Sequence, residues 1–205
     1  MNIVYGKLDG FSNSAKNFIN DWYSHVTPDN LHICDGTQAE KKMLIAKLLE
    51  NNTLVKLNKY YECYLARTNP LDVARVANKT FMCTSNKKSS MTIGKEGCKE
   101  TIGQWADAKE TRITLKKYFK GCMKGRTMYV IPYCMGALGS PIAKAGIEIT
   151  DSAYVVVSMG IMTIMGDCVL PYLKESFVKS VHSVGLPLPL NANAKEIDNS
   201  WPCNP

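Results

Sequence analysis

With 205 residues and 22.8 kDa, the chain is long enough to bury a full core, and 45% apolar with 21% charged residues is the composition of one ordinary globular domain. No apolar stretch is long enough to span a membrane, since the best one, Ala153 to Met165, has only 13 residues. The net charge of +7 is concentrated between residues 87 and 126, where 11 Lys and Arg face 4 Asp and Glu, but few aromatics and no binding motif accompany it, so no nucleic-acid partner is expected. That segment reads either as a solvated helix and loop face or as a surface that draws anions toward a nearby cleft.

Eight cysteines are scattered with no Cys-x-x-Cys spacing, which argues against a zinc site. The start, Met1 to Gly10, has no basic region followed by an apolar stretch, so no export or organelle address is expected. Free, mostly buried thiols in a reducing, cytoplasmic setting follow. His25, His32 and His182 show no ligand spacing and read as structural.

In chain order, Ser12 or Ser14 caps a first helix, on which Phe18, Ile19, Trp22, Tyr23 and Val26 form one apolar stripe. His32 to Cys34 reads as a short strand. Asp35-Gly36-Thr37 is then the turn and cap of a second helix from Gln38 to about Leu49. Thr53 to Ala66 alternates partly and reads as strand or extended chain. At Asn69-Pro70-Leu71-Asp72 the residue types predict a helix start, with Val73 to Val76 on its first turn. Thr80 to Thr84 reads as a strand and Asn86 to Ser90 as a polar turn. Trp105 argues for docking of the segment Thr101 to Ala108, and Lys109 to Tyr118 is basic and amphipathic.

The stretch from Lys124 to Gly166 organises the rest. Thr127 to Met135 carries no charge and reads as a strand buried on both faces, followed by a turn at Gly136, Gly139, Ser140 and Pro141. Gly146 to Thr150 alternates Ile147 and Ile149 with Glu148 and Thr150, a second strand with one wetter face. Asp151 or Ser152 then caps a segment from Ala153 to Met165 that is too long for a typical strand, so a buried helix closed by Gly166 is expected. Val169 to Val184 is predicted as a last helix, with Leu173, Phe177, Val178 and Val181 on one side. Pro187 and Pro189 then force an extended tail, Asn191 to Ser200 reads as a surface loop or linker, and Trp201 needs a cover. The expected fold class is α/β: a mixed β-sheet flanked by helices in a single domain.

Several runs carry a family resemblance. They are HICDGT at His32 to Thr37, LDVARV at Leu71 to Val76, GCMKG at Gly121 to Gly125, GRTMYVIP at Gly125 to Pro132, MGALGSP at Met135 to Pro141, and GIEITDS at Gly146 to Ser152. HSVGLPLPL at His182 to Leu190 and WPCNP at Trp201 to Pro205 complete the set. Together they resemble, in order, the N-terminal region of GTP-utilising phosphoenolpyruvate carboxykinases. The resemblance implies that residues 1–205 form the N-terminal, substrate-side domain of such an enzyme, truncated before the nucleotide-binding domain. The full-length reaction it implies converts oxaloacetate and GTP to phosphoenolpyruvate, GDP and carbon dioxide, a step of gluconeogenesis.

Within this resemblance, Asp72-Val73-Ala74-Arg75 matches the segment whose arginine contacts the carboxylate of phosphoenolpyruvate or oxaloacetate, so Arg75 is the one candidate substrate-binding residue. A guanidinium suits that task because its planar fork meets a carboxylate through two hydrogen bonds and keeps its charge. Three positions depart from the family pattern: Ala77 stands where Glu is usual, and Gly160 and Ile164 stand where arginines are usual. The Gly136 to Ser140 loop lacks the P-loop pattern, since Gly139 is followed by Ser140-Pro141. The family's GTP cradle and its Mn or Mg ligands lie beyond the point matching Pro205. No catalytic, cofactor-binding or metal-binding residue is therefore expected here, and weak carboxylate binding and a missing C-terminal nucleotide-binding domain are the expected partners. The competing expectation is a non-catalytic, family-derived module that binds anions or another protein.

Overall fold

The computed structural model describes residues 1–66, 80–90 and 104–184. The helical turn expected at 73–76, together with Arg75 and Ala77, lies outside the described residues, as does the tail from 185 on with Trp201. In chain order the first half contains β1 (Ile3–Tyr5), α1 (Asn13–Val26), β2 (Asn30–Ile33), α2 (Gln38–Glu50), β3 (Leu54–Lys56), β4 (Tyr64–Ala66), β5 (Phe81–Thr84) and α3 (Lys87–Ser90). The second half contains β6 (Gln104–Asp107), α4 (Ala108–Phe119), β7 (Thr127–Met135), β8 (Lys144–Thr150), α5 (Ala153–Met162), β9 (Ile164–Met165), a 3-10 helix (Asp167–Tyr172) and β10 (Val178–Val181).

β7 is the axis of the fold, and every residue from Met128 to Cys134 is buried, as its uncharged run predicts. The main sheet runs β1-β2-β7-β8-β10, with β9 also pairing with β7. It is mixed: β1, β2 and β7 are parallel, β8 is antiparallel to β7, and β10 is parallel to β8. The turn from Gly136 to Ala143 makes the reversal between β7 and β8.

Register sorts the side chains onto two faces. Met128 and Val130 of β7, with Leu31 and Ile33 of β2 and Ile147 and Ile149 of β8, pack with α1 and with Val169 and Leu173 around the 3-10 helix. On the opposite face Tyr129 and Ile131 pack with Leu44 and Leu48 of α2 and Ala153 and Val156 of α5. The alternation seen in β8 therefore reports two helix layers. Thr150, expected on a wetter face, is fully buried, whereas Glu148 keeps partial access to solvent.

Local signals place most helix starts. Ser12 caps α1 by accepting from the Ala15 amide at 3.2 Å, Thr37 caps α2 from the Glu40 amide at 3.1 Å, and Asp107 caps α4. Thr53 to Ala66 folds as an antiparallel β3-β4 hairpin. β5 and β6 form a separate parallel pair, and Trp105 donates its indole N–H to Thr84 Oγ1 at 2.9 Å.

Three further expectations are corrected. Asn86 to Ser90 contains a short helix where a turn is expected. The last helix, expected over Val169 to Val184, is a 3-10 helix with Pro171 inside it, followed by a strand. Proline removes one amide donor, and the open edge of β8 offers Val178 to Val181 a full ladder instead. The third correction concerns α5, which ends at Met162 and is not a buried helix: Ile161 is 77% exposed and Met162 is 66% exposed.

Candidate functional site

Arg75, the substrate-binding candidate, lies with its Asp72-Val73-Ala74 context outside the described residues. The Gly136 to Pro141 loop is described, and two amides of the turn bond within it: Ser140 N–H donates to Ala137 O at 3.1 Å and Ala143 N–H to Ser140 O at 3.1 Å. Such a turn supports the sheet and offers those two donors to no phosphate. Beside it lies a cavity of about 530 Å³ that includes Lys144, Lys174, Tyr172 and Ser176 in its wall.

The structure assembles a second, polar cluster that sequence spacing does not reveal. β2 delivers His32 and the residue just beyond it, Cys34, and the first turn of α2 delivers Glu40. All three are buried, with relative exposures of 4%, 0% and 2%. His32 Nε2 lies 2.7 Å from Glu40 Oε1, while Glu40 Oε2 accepts from the Gly36 amide at 2.8 Å. The Tyr5 ring stacks on His32 with centroids 4.4 Å apart, and the Tyr129 ring tilts against the same imidazole at 5.0 Å. Tyr5 in turn donates its hydroxyl to Asp35 Oδ2 at 2.8 Å, and Asp35 Oδ1 accepts from the Thr37 amide at 2.8 Å.

These contacts set the electrostatics. Burial, and then the neighbouring Glu40 carboxylate, pushes the Cys34 thiol well up. Burial also raises the Asp35 carboxyl, but the Thr37 amide and the Tyr5 hydroxyl outweigh it and hold Asp35 below its ordinary value. The Tyr5 phenol is pushed up by burial and by its bond to Asp35.

Two glycines let two stretches of backbone pass closely beside the cluster. Gly36 and Gly166 both have positive φ, and the backbones of 35–36 and 165–166 lie so close that a Cβ on either glycine would strike a carbonyl oxygen of the other strand. Asp167 N–H donates to Asp35 O at 3.2 Å across this junction. Gly160, one of the departures from the family pattern, borders a cavity of about 160 Å³ here, together with Thr37, Glu40, Lys41 and Thr163. Ile164, another departure, is 39% exposed in β9.

The sequence signal for this cluster was a capping box, Thr37 followed three residues later by Glu40. Thr37 plays its part, but the Glu40 carboxylate reaches past the cap residue to Gly36 and His32. A carboxylate so placed is a hub for buried donors.

Comparison with known proteins places the whole arrangement. Residues 17–205 match the family model described as phosphoenolpyruvate carboxykinase N-terminal domain. The chain belongs to that family. It is 45% identical over 204 residues to the cytosolic GTP phosphoenolpyruvate carboxykinase of Bos taurus, covering 99% of this chain and 32% of the relative. The Ascaris suum enzyme is 45% identical over 206 residues, and the human mitochondrial enzyme is 40% identical over 206 residues, each again with 32% of the relative covered. The chain thus spans about a third of the length of these relatives. Cytosolic and mitochondrial enzymes both match, and none of the described helices is long and apolar enough to cross a membrane.

Several of the carboxykinase-like motifs prove to be structural. Arg126, in the GRTMYVIP run, donates to Asp151 Oδ2 of GIEITDS at 2.8 Å. The same carboxylate is fully buried and accepts from Ser183 Oγ and from the Val184 amide, each at 2.8 Å. One acid therefore ties three motifs together at the end of β8.

Proposed function

We propose that this chain is the substrate-side part of a GTP-dependent phosphoenolpyruvate carboxykinase, contributing a carboxylate contact through Arg75 and unable to turn over by itself. One observation carries the reading: an N-terminal-domain match over residues 17–205, with relatives named as GTP phosphoenolpyruvate carboxykinases about three times as long. GTP and a divalent metal belong to the full-length enzyme. The described loop richest in glycine does not suit a triphosphate, because the Ser140 and Ala143 amides are already bonded within the turn. Phosphoryl transfer rests on positioned donors and metal, and the two bonded amides of this turn are not free to serve as such donors. A cytoplasmic location is part of this proposal and rests on the cytosolic relatives.

Purified chain supplied with GTP, manganese and oxaloacetate is expected to yield no phosphoenolpyruvate above the background without protein, and product formation would overturn the inability to turn over. Calorimetric titration with oxaloacetate tests the contact: Arg75→Ala is expected to lose the weak binding heat, and equal heats from both proteins would remove Arg75 from the site. A second reading, a non-catalytic module, is favoured by Gly160 and Ile164, where the family pattern has arginines. Retention of oxaloacetate binding by the wild type distinguishes the carboxylate-binding reading from a module that binds only another protein.

A further inference from the structure

We propose that His32, Cys34 and Glu40 form a binding site for one zinc-like divalent cation, separate from the metal chemistry of the carboxykinase reaction. The ligand-capable atoms of the three side chains lie within 4.8 Å of one another. They supply one imidazole nitrogen, one sulfur and one carboxylate oxygen, the donor mixture that suits a borderline-soft ion and that magnesium or calcium would not select.

Charge supports the same assignment. Three buried groups around a dication, with histidine neutral and both cysteine and glutamate ionised, sum to zero, whereas a lone buried carboxylate must be compensated by donors alone. In the structure Glu40 is compensated by Gly36 N–H, by His32 and by the Cys34 thiol. The cation would replace the last two of these at once. Binding releases the Cys34 thiol proton to solvent, forms the metal–sulfur bond, and leaves no oxidation state changed.

The geometry needs one small adjustment. Tetrahedral zinc holds a nitrogen and an oxygen ligand about 3.3 Å apart, given bond lengths of about 2.0–2.2 Å. His32 Nε2 and Glu40 Oε1, at 2.7 Å, must therefore part by less than an ångström. The outer contacts are already those of a supported site: the Tyr5 and Tyr129 rings hold the imidazole, and Gly36 N–H fixes the far carboxylate oxygen. Glu40 also borders the cavity of about 160 Å³, which has room for water as a fourth ligand.

Cobalt(II) added to the full chain provides the test, because a thiolate–cobalt bond absorbs in the near ultraviolet. The expected result is a band that saturates at one cobalt per chain, is displaced by zinc, and is lost in Cys34→Ala. Glu40→Gln is expected to weaken binding by about tenfold or more, since even outer-shell changes cost 10–100-fold. X-ray absorption of the wild-type zinc complex identifies the ligands without any variant: one sulfur scatterer at about 2.3 Å with nitrogen and oxygen at about 2.0–2.2 Å is expected. No stoichiometric band, a band of undiminished strength in folded Cys34→Ala, or a wild-type spectrum with no sulfur or with several sulfurs overturns the proposal. None of these readouts depends on carboxykinase activity.

Discussion

Helices α1 and α5 start alike and end in different surroundings. Each follows a serine whose hydroxyl accepts from the third residue after it, Ser12 from Ala15 at 3.2 Å and Ser152 from Val155 at 3.4 Å. α1 carries charged residues on one side and buries Ala15, Phe18, Ile19 and Val26 on the other. α5 is the more apolar of the two, yet only Ala153 and Val156 are buried, and Ile161 and Met162 lie open to solvent. Amphipathic patterning states which side goes in; uniform apolarity states only that some partner is wanted, and the core covers α5 only as far as Met159.

Replacing a buried residue of α1 sharpens this contrast most. Ile19→Ala is expected to cost about 3 kcal/mol, within the usual 2–5 kcal/mol for emptying a packed site, read as a lower denaturation midpoint at unchanged slope. A cost below about 1 kcal/mol would mean that α1 is not held by its buried stripe.

The incompletely covered face also carries Glu148, which lies opposite Ile131 in the ladder. Burial, opposed by the Ser180 hydroxyl, pushes its carboxyl from the ordinary 4.5 up to about 7. Between those values the folded chain binds more protons than the unfolded one, so stability falls as pH rises from about 4.5 to about 7 and the deficit is full above that. Glu148→Gln is expected to flatten this slope and to raise stability at pH 8 by an amount on the order of 3 kcal/mol at most, with little change at pH 4. Denaturation midpoints across that range that run parallel for the two proteins would show that Glu148 is better solvated than its place in the sheet implies.

Caps give a smaller effect. Ser12→Ala is expected to cost about 1 kcal/mol, measured by urea unfolding, and an unchanged midpoint would mean that α1 starts without help from its cap. The smallest effect belongs to the outer side of α5: Ile161→Ala should alter stability by less than about 0.5 kcal/mol. A loss as large as that of Ile19→Ala would show that Ile161 is covered in solution and would erase the contrast between the helices.

Much of the fold was legible along the chain because its signals are local. The uncharged run of β7, the alternation in β8, and the caps at Ser12, Thr37 and Ser152 each need only a few consecutive residues to act. The order of motifs was enough to identify the family. Less was legible where two conformations were locally tolerable. Val178 to Val181 has a helical spacing of apolar residues, yet it pairs with β8, because an open strand edge satisfies its amides over four residues. Likewise the Asp35-Gly36-Thr37 turn and cap foretold the start of α2 but not that the Glu40 carboxylate would meet His32.

By itself, then, the order of residue types determined the family, the central strand and its turn, and the points at which α1, α2 and α5 begin, since hydrogen-bonding and φ preferences of neighbouring residues are enough for these. Only the tertiary structure decided that α5 keeps an open apolar side, that Val178 to Val181 closes the sheet, and that His32, Cys34 and Glu40 meet in one buried cluster. Burial and strand pairing depend on which segments arrive together in space, and no window along the chain contains that information.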